Sequence, residues 1–152
     1  MFDTIFSPCR KYRYTLWREW SYGNGYAMFI CLNPSTADET KNDPTIRRCI
    51  GFAQRWGYQA LFMTNLFAYR STNPWEIHSV ADPIGPDNDK YLAELSEQAG
   101  IIIAAWGTHG NFMGRGVKIL KMIPNLCYLK KTSTGFPAHP LYLKKDSVPI
   151  KL

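Results

Sequence analysis

The stretch YAMFICLNPS, residues 26–35, decides the fold class of this chain. Its first part, Tyr26 to Leu32, is an uncharged apolar run, which is typical of a strand buried on both faces of a sheet. The polar segment Asn33-Pro34-Ser35 follows at once. Because open parallel α/β sheets bind ligands beyond the carboxyl ends of their strands, this junction predicts a central strand and a ligand-binding loop.

Similar strands recur along the chain and alternate with helical patterns. Apolar runs predict strands at residues 60–64, 101–106 and 126–129. Helical spacing predicts a helix that starts with Asp43 as N-cap and Pro44 as first residue, then helices over about 87–98 and 112–122. This alternation predicts a three-layer α/β/α sandwich with a mainly parallel central sheet of about four strands.

The two ends of the chain add less regular segments. Residues 13–17 alternate loosely and precede the turn cluster Gly23-Asn24-Gly25, which predicts an edge hairpin within residues 1–25. The tail over residues 144–152 is basic and carries Pro149, so we expect it to be loosely held. A length of 152 residues fits a single domain over 1–152.

Composition bounds the protein class. Hydrophobic residues make up 45% of the chain and charged residues 20%, which is typical of a globular protein rather than a disordered one. The net charge of +6 favours a polyanionic partner such as DNA or a nucleotide, although an ordinary basic protein has the same balance. We favour a monomer.

The cysteines and the apolar runs indicate the cellular compartment that we expect for the protein. Cys9, Cys31, Cys49 and Cys127 are widely separated and form no C-x-x-C pair, so neither a metal site nor a disulfide scaffold is expected. No signal-like start and no run of membrane-spanning length is visible. We expect a cytoplasmic protein with no membrane association and no metal or organic cofactor.

Two polar segments after strands are candidate binding loops. The Asn33-Pro34-Ser35 loop is restricted by its proline and could aim side chains at a ligand, but the same residues often only end a strand. Asn65 offers a donor and an acceptor for a base edge, or it caps a turn. Phe67, Tyr69 and Arg70 then supply groups for stacking and phosphate contact, or pack as an ordinary loop.

Charged side chains near the first loop are candidates for catalysis. Asp38 or Asp43 could activate water, although an N-cap and solvated loop charges are the commoner use of such residues. Arg47 could contact phosphate or belong to a solvated helix face.

The histidines differ in their setting. His139, in the segment His139-Pro140-Leu141, could stabilise charge on a leaving group or lie in an extended turn. His78 and His109 have no metal-type spacing and are interpreted as loop residues, although the Gly-rich turn around His109 could bind an anion.

The ordered motifs resemble those of an uncharacterised bacterial and phage family, the domain of unknown function numbered 1643. The segments that carry the resemblance span nearly the whole chain: Asn33-Pro34-Ser35, Asp43-Pro44-Thr45-Ile46-Arg47-Arg48, Asn65-Leu66-Phe67-Ala68-Tyr69-Arg70, Trp106-Gly107 and His139-Pro140-Leu141. The resemblance implies a family but no activity.

The same segments are also similar, in the same order, to motifs of the uracil-DNA glycosylase superfamily. Leu32-Asn33-Pro34, Thr64-Asn65, Trp106-Gly107 and His139-Pro140 match, whereas Leu141 replaces the usual serine and the first loop lacks an aromatic residue found in some branches. The similarity implies a glycosylase-like fold, with Trp106 and Gly107 at the substrate site. Asn33 would position the attacking water, Asn65 would read a flipped base, and His139 would stabilise the departing base.

The sequence thus favours a protein that recognises or excises a deaminated or modified pyrimidine of DNA by base flipping. Because the Asn33 amide is not a usable base, hydrolysis would depend on positioning and electrostatics or on Asp38 or Asp43. Two alternatives stay open. One is a non-catalytic nucleic-acid-binding module that retains the base pocket, and the other is an enzyme that acts on free nucleosides or nucleotides.

Overall fold

The computed structural model describes residues 2–20 and 24–152, which form a mixed β-sheet with helices packed on it. Seven strands of the described residues belong to this sheet: β1 Ile5–Phe6, β2 Arg13–Glu19, β3 Tyr26–Cys31, β4 Ala60–Asn65, β5 Ile101–Ala104, β6 Cys127–Tyr128 and β7 Ile150–Lys151. The α-helices of this part of the chain are α1 Pro44–Arg55, α2 Asn88–Ser96 and α3 Arg115–Met122. Short 3-10 helices cover Pro74–His78, Thr108–Gly114 and Pro140–Tyr142.

The sheet has the strand order β1-β2-β4-β3-β5-β6-β7. The strands β4, β3, β5 and β6 pair parallel, and β1, β2 and β7 pair antiparallel with their neighbours. The predicted mixed α/β class is confirmed. The sheet has seven strands rather than the expected number of about four, because β1, β2 and β7 flank the four predicted strands.

The central strands β3 and β4 form because each is an apolar run whose residues are all buried. They pair in parallel with Tyr26 opposite Ala60 and Cys31 opposite Asn65. This register brings the carboxyl ends of both strands to the same level of the sheet. The loops that leave those ends are therefore neighbours.

Helices cover both faces of the sheet. On one face, Phe29 and Met63 pack with buried residues of α1, including Phe52. On the other face, Met28 and Phe62 pack with residues of α2 and α3. Burial of these apolar surfaces is the main force that holds the layers together.

Helix α1 begins where its sequence predicts. The carboxylate of Asp43 accepts a hydrogen bond from the backbone N–H of Ile46 at 2.9 Å, and Pro44 occupies the first helical position. Helix α3 begins later than residue 112, because the chain over Thr108–Gly114 forms a 3-10 helix that is interrupted at Met113. Met113 has a φ of 56°, which an α-helix does not accommodate.

β1 and β2 form an antiparallel pair at one edge of the sheet, as the predicted N-terminal hairpin requires, but β2 does not pair with β3. β2 pairs with β1 and with β4, so β4 lies between β2 and β3. Because the first four residues of β2 are all buried, this strand fits inside the sheet rather than at its edge. Gly23 of the predicted turn lies outside the described residues.

The C-terminal tail is hydrogen-bonded to the sheet, which corrects the expectation that residues 144–152 are loosely held. β7 pairs antiparallel with β6, and the Leu152 N–H donates to the Leu126 carbonyl at 3.0 Å. The indole N–H of Trp56 donates to the Ser147 carbonyl at 3.2 Å. None of the helices over residues 2–20 and 24–152 has the length and apolar character needed to cross a bilayer.

Candidate functional site

A cavity of about 460 Å³ opens at the carboxyl ends of β3, β4 and β5. This volume lies in the range of small-molecule binding sites. Its wall combines residues from distant parts of the chain: Arg13, Cys31, Leu32, Asn33, Pro34, Ser35, Asp43, Thr45, Ile46, Met63, Asn65, Ser71, Thr72, Pro74, Trp106, Gly107, Thr108, His109, Thr132 and His139. The three polar residues singled out after strands in the sequence, Asn33, Asn65 and His139, therefore share one cavity.

Asn33 is held in a fixed orientation by the neighbouring loop. Its side-chain Nδ2 donates to the carbonyls of Pro34 at 3.2 Å and Ser71 at 3.0 Å. The Ser71 N–H also donates to the Pro34 carbonyl, which ties the two loops together. Since both partners are acceptors, the amide orientation is determined and Oδ1 is left as the acceptor available to a ligand or a water molecule.

Asn65 ends β4 with its side chain buried at the cavity wall. The residue is only 2% exposed, and its Nδ2 has no hydrogen-bond partner among the described residues. A buried amide donor without a partner costs free energy, and a ligand that accepts a hydrogen bond there would recover it. Asn65 therefore brings to the cavity wall an amide whose donor is not used by the described part of the chain.

Buried side chains behind the cavity fix the backbone at Asn65 and Leu66. Asn88 donates from Nδ2 to the carbonyls of Asn65 at 2.9 Å and Leu66 at 3.1 Å. Arg115, which is 1% exposed, donates to the Leu66 carbonyl from Nε at 3.1 Å and Nη2 at 2.8 Å, and pairs with Asp89. These residues do not line the cavity and act by positioning the end of β4.

His139 contributes a neutral imidazole to the wall. The Leu141 N–H donates to Nδ1 at 3.3 Å, so the proton of the neutral ring is on Nε2. Burial lowers the pKa of His139 below its usual value of 6.5, and the negative charge of Asp43 partly opposes this shift. Near neutral pH this histidine is a hydrogen-bond donor without charge.

The His139 segment is fastened beside the end of β5. The N–H of Gly107 donates to the Pro137 carbonyl at 2.7 Å, which connects the turn after Trp106 to this segment. The same turn packs closely on itself, because a Cβ at Gly110 would lie 2.0 Å from Cδ1 of Trp106. Only glycine fits there, and the neighbouring His109 lines the cavity.

Arg13 is a cavity residue that the sequence analysis missed. It is 2% exposed, and its Nη1 donates to the Ala37 carbonyl at 3.1 Å while its Nε has no partner among the described residues. Burial lowers the pKa of Arg13 to about 10, and the charge of Asp43 opposes this shift. The cavity thus contains a buried cation and a buried carboxylate, which also caps α1.

The strand pattern around Arg13 does not predict that this residue lines a cavity, because a charged residue at the start of a strand normally faces water. His109, for which the sequence leaves open an ordinary loop position or an anion-binding turn, lines the cavity, where its ring meets Trp75 edge-on with centroids 4.5 Å apart. The hydroxyl residues of the wall were also missed, because such residues are common in ordinary loops: Thr45, Ser71, Thr72, Thr108 and Thr132.

Several predicted site residues lie outside the cavity wall. The carboxylate of Asp38 accepts from the backbone N–H groups of Lys41 at 2.7 Å and Thr40 at 3.0 Å, and these bonds lower its pKa. Phe67 is fully buried in the core. Asp38 therefore serves its own loop and Phe67 packs behind the site, which leaves Asp43 as the predicted carboxylate that reaches the cavity.

The remaining predicted residues line neighbouring surface grooves. Tyr69 and Arg70 line a groove with Arg10 and Lys11 that shares Ser35, Ser71 and Thr72 with the cavity. Arg47 is exposed on the outer surface of α1. These residues could contact parts of a ligand that extend beyond the cavity, but they do not line the cavity itself.

The described residues contain no group of three or more His, Cys, Asp or Glu side chains arranged to hold a metal ion. The polar groups of the wall are instead amides, hydroxyls, two histidines, one arginine and one carboxylate, contributed by Asn33, Asn65, Ser35, Ser71, Thr45, Thr72, Thr108, Thr132, His109, His139, Arg13 and Asp43. Such a set can form directional hydrogen bonds to a polar organic ligand.

Comparison with known proteins identifies the family. A model of the family described as "Protein of unknown function (DUF1643)" matches residues 13–141, a range that includes every residue of the cavity wall. No curated protein and no solved structure matches the chain. The chain belongs to the DUF1643 family.

Proposed function

We propose that the cavity binds a nucleobase and that the protein recognises or excises a deaminated or modified pyrimidine of DNA. The observation that carries this proposal is the meeting of Asn33, Asn65 and His139 at one cavity of about 460 Å³. Each presents a different hydrogen-bonding group, and pyrimidines carry donors and acceptors around their edges. A base would enter the cavity by being rotated out of its stack.

Asn65 is the group that reads the base. Its buried Nδ2 has no partner in the described part of the chain, so a carbonyl oxygen of a pyrimidine would supply the missing acceptor. A base with an amino group at the same position would present a second donor and be disfavoured. This contrast supports selection of a deaminated pyrimidine, whose amino group has been replaced by oxygen.

Excision would combine three groups of the wall. A water molecule held by Oδ1 of Asn33 attacks the sugar carbon while the bond from that carbon to the base breaks. Asp43 accepts the proton of the water, and the electron pair of the broken bond leaves with the base. The Nε2 proton of His139 stabilises the negative charge that develops on the base oxygen.

Base release from oligonucleotides that contain uracil or modified pyrimidines tests this proposal. We expect His139→Ala to reduce release by about 10²–10³-fold, the usual effect of removing a donor to a developing negative charge. Asn65→Asp preserves the size of the side chain but replaces the donor with an acceptor, so it should also lose release. His78→Ala is the matched control, because His78 is an exposed histidine outside the cavity.

Circular dichroism and thermal unfolding of each variant separate loss of activity from loss of fold. Release that persists at the wild-type rate in both His139→Ala and Asn65→Asp would rule out this site.

Binding without hydrolysis is the second candidate. An amide such as that of Asn33 cannot take a proton from water, and the carboxylate of Asp43 already accepts the capping hydrogen bond of α1. This candidate predicts binding of pyrimidine-containing DNA by the wild-type protein with no base released. An enzyme acting on free nucleosides or nucleotides is distinguished by a higher affinity for the mononucleotide than for an oligonucleotide with the same base.

A further inference from the structure

The outer surface of α1 carries a groove of about 240 Å³ that the cavity does not include. We call it the α1 groove, and it is lined by Arg47, Arg48, Gly51, Phe52, Arg55 and Lys145. Four of these residues are cations and none is a carboxylate. A concentration of one charge sign on a concave surface attracts ligands of the opposite sign.

The spacing of the groove residues suits an extended anion. Arg47, Gly51 and Arg55 are four residues apart and therefore follow one another along one face of the helix. Gly51 is exposed, and a Cβ there would meet no atom within 4 Å. The two arginines thus flank a gap in the side-chain layer and are separated by about 12 Å along the helix axis.

Arg48 is held in place at the edge of the groove. Its Nη2 donates to the Leu143 carbonyl, and its guanidinium carbon lies 5.9 Å from the centroid of the Phe52 ring. Its Nε is buried and has no hydrogen-bond partner in the described part of the chain. A fixed cation loses little side-chain entropy when an anion binds.

The α1 groove extends toward the N-terminus of α1, which borders the cavity. A shallow continuation shares Arg47 and Arg48 with it and is also lined by Pro44 and Leu141. Pro44 lies between Asp43 and Thr45, which are both residues of the cavity wall. A chain of phosphates along α1 would therefore reach the place where the proposed base is bound.

Among the described residues, the other basic groove beside the cavity has two cations without an ion pair, Lys11 and Arg70, whereas the α1 groove has four. Arg10 of the other groove forms a two-point ion pair with Glu39, at 2.7 and 2.9 Å, so part of its charge is already neutralised. No ion pair occupies Arg47 or Arg55 among the described residues.

We propose that the α1 groove binds the phosphodiester backbone of a nucleic acid strand whose base occupies the cavity. This inference rests on the proposed function and makes it more specific, because it selects a polynucleotide over a free nucleoside or nucleotide as the ligand. The contacts would be sequence-independent, since phosphates carry no base identity.

The test measures binding of a fluorescein-labelled single-stranded DNA oligonucleotide by anisotropy at several salt concentrations. The double variant Arg47→Gln, Arg55→Gln removes two exposed cations of the groove. Each lost phosphate contact lowers the slope of log K against log salt by about 0.7, so we expect a slope smaller by about 1.4. Between about 50 and 200 mM salt, wild-type binding should weaken about sevenfold more than that of the variant.

The matched control is the double variant Lys90→Gln, Lys121→Gln, which removes the same charge from exposed positions on α2 and α3. Its slope should equal that of the wild type. A groove variant with the wild-type slope would overturn the inference. So would groove-dependent binding of phosphatidylglycerol vesicles in the absence of oligonucleotide binding.

The proposed excision at the cavity and the proposed phosphate binding at the groove can be contradicted independently. If the wild-type protein releases no base and the slope difference is present, the proposed excision fails and the groove assignment is supported. If base is released and the groove variant has an unchanged slope, the excision is supported and the groove assignment fails.

Discussion

The two faces of the sheet serve the cavity in different ways. On one face, α1 brings Asp43 and Thr45 to the cavity wall and exposes a basic outer surface. On the other face, α2 and α3 reach the site only through hydrogen bonds to the backbone at the end of β4. The comparison separates residues that line the cavity from residues that hold the backbone behind it.

This division explains why a buried arginine on the second face is needed. Arg115 donates two N–H groups to the carbonyl of Leu66, which lies one residue beyond the end of β4. Asn88 supplies a further donor. On the α1 side, the loop before the helix is held by the Asp43 cap and by a hydrogen bond from buried Arg13 to the Ala37 carbonyl.

The largest expected effect is the loss of stability on removal of Arg115. Arg115→Met should lower the free energy of unfolding by about 2 to 3 kcal/mol, because two buried hydrogen bonds to Leu66 and the ion pair with Asp89 are lost. Urea unfolding measures the change. Lys118→Met is the control, because Lys118 pairs with the same carboxylate from an exposed position and should change stability by less than about 0.5 kcal/mol.

Equal losses from Arg115→Met and Lys118→Met would contradict the special role assigned to the buried arginine. The comparison between the faces would then reduce to a general contribution of positive charge near Asp89.

A smaller effect is expected on the α1 face. Asp43→Ala removes the helix cap and the charge near Arg13, whereas Asp43→Asn removes only the charge. Asparagine caps helices about as well as aspartate, so the alanine variant should be less stable than the asparagine variant by about 1 kcal/mol. Thermal or urea unfolding provides the measurement.

Asp87 offers a matched control for the cap. It occupies the N-cap position of α2 but forms no side-chain capping hydrogen bond. Asp87→Ala should therefore change stability by less than about 0.5 kcal/mol. A loss as large as that of Asp43→Ala would show that the capping bond at α1 is not the cause.

The smallest expected effect is a pH dependence carried by His139. Burial lowers its pKa in the folded state below the usual 6.5, so the unfolded chain binds a proton more readily. The contribution of this group to stability is complete above pH 6.5 and is lost as the pH falls through the folded-state pKa. Unfolding measured over this pH range should show the dependence in the wild type and a weaker one in His139→Gln.

The effect of Asp43 on the pKa of His139 can be measured separately. Because the charge of Asp43 raises the pKa of His139, Asp43→Asn should lower that pKa further. Proton NMR of the imidazole ring follows the titration directly. An unchanged or raised pKa would contradict the electrostatic link between the α1 cap and the cavity.

Local signals in the sequence predicted much of the fold. The apolar run at Tyr26–Cys31 and the Asp43-Pro44 cap are recognisable because strand burial and helix capping depend on residues close in the sequence. The meeting of Asn33 and Asn65 followed from one further rule, that parallel strands end at the same side of a sheet. The positions of these site residues were therefore predictable before their contacts were known.

Other features depend on contacts between distant residues. Nothing near Arg13 in the sequence indicates that β2 pairs with β4, and this pairing carries the Arg13 guanidinium to the cavity. The short β7 strand has no apolar pattern of its own and exists because the edge of β6 accepts it. Asp38 is the opposite case, a predicted site residue that does not line the cavity. Its carboxylate accepts hydrogen bonds from the backbone of its own loop.

The position of β2 beside β4 affects the order in which the protein can fold during translation. During translation, Leu16 emerges long before Met63, its partner in the sheet. β2 can pair with β1 at once, but it lacks its other neighbour until the whole of α1 and then β4 have left the ribosome. The Arg13 side of the cavity is consequently completed only after the Asn33 loop and the α1 cap have been synthesised.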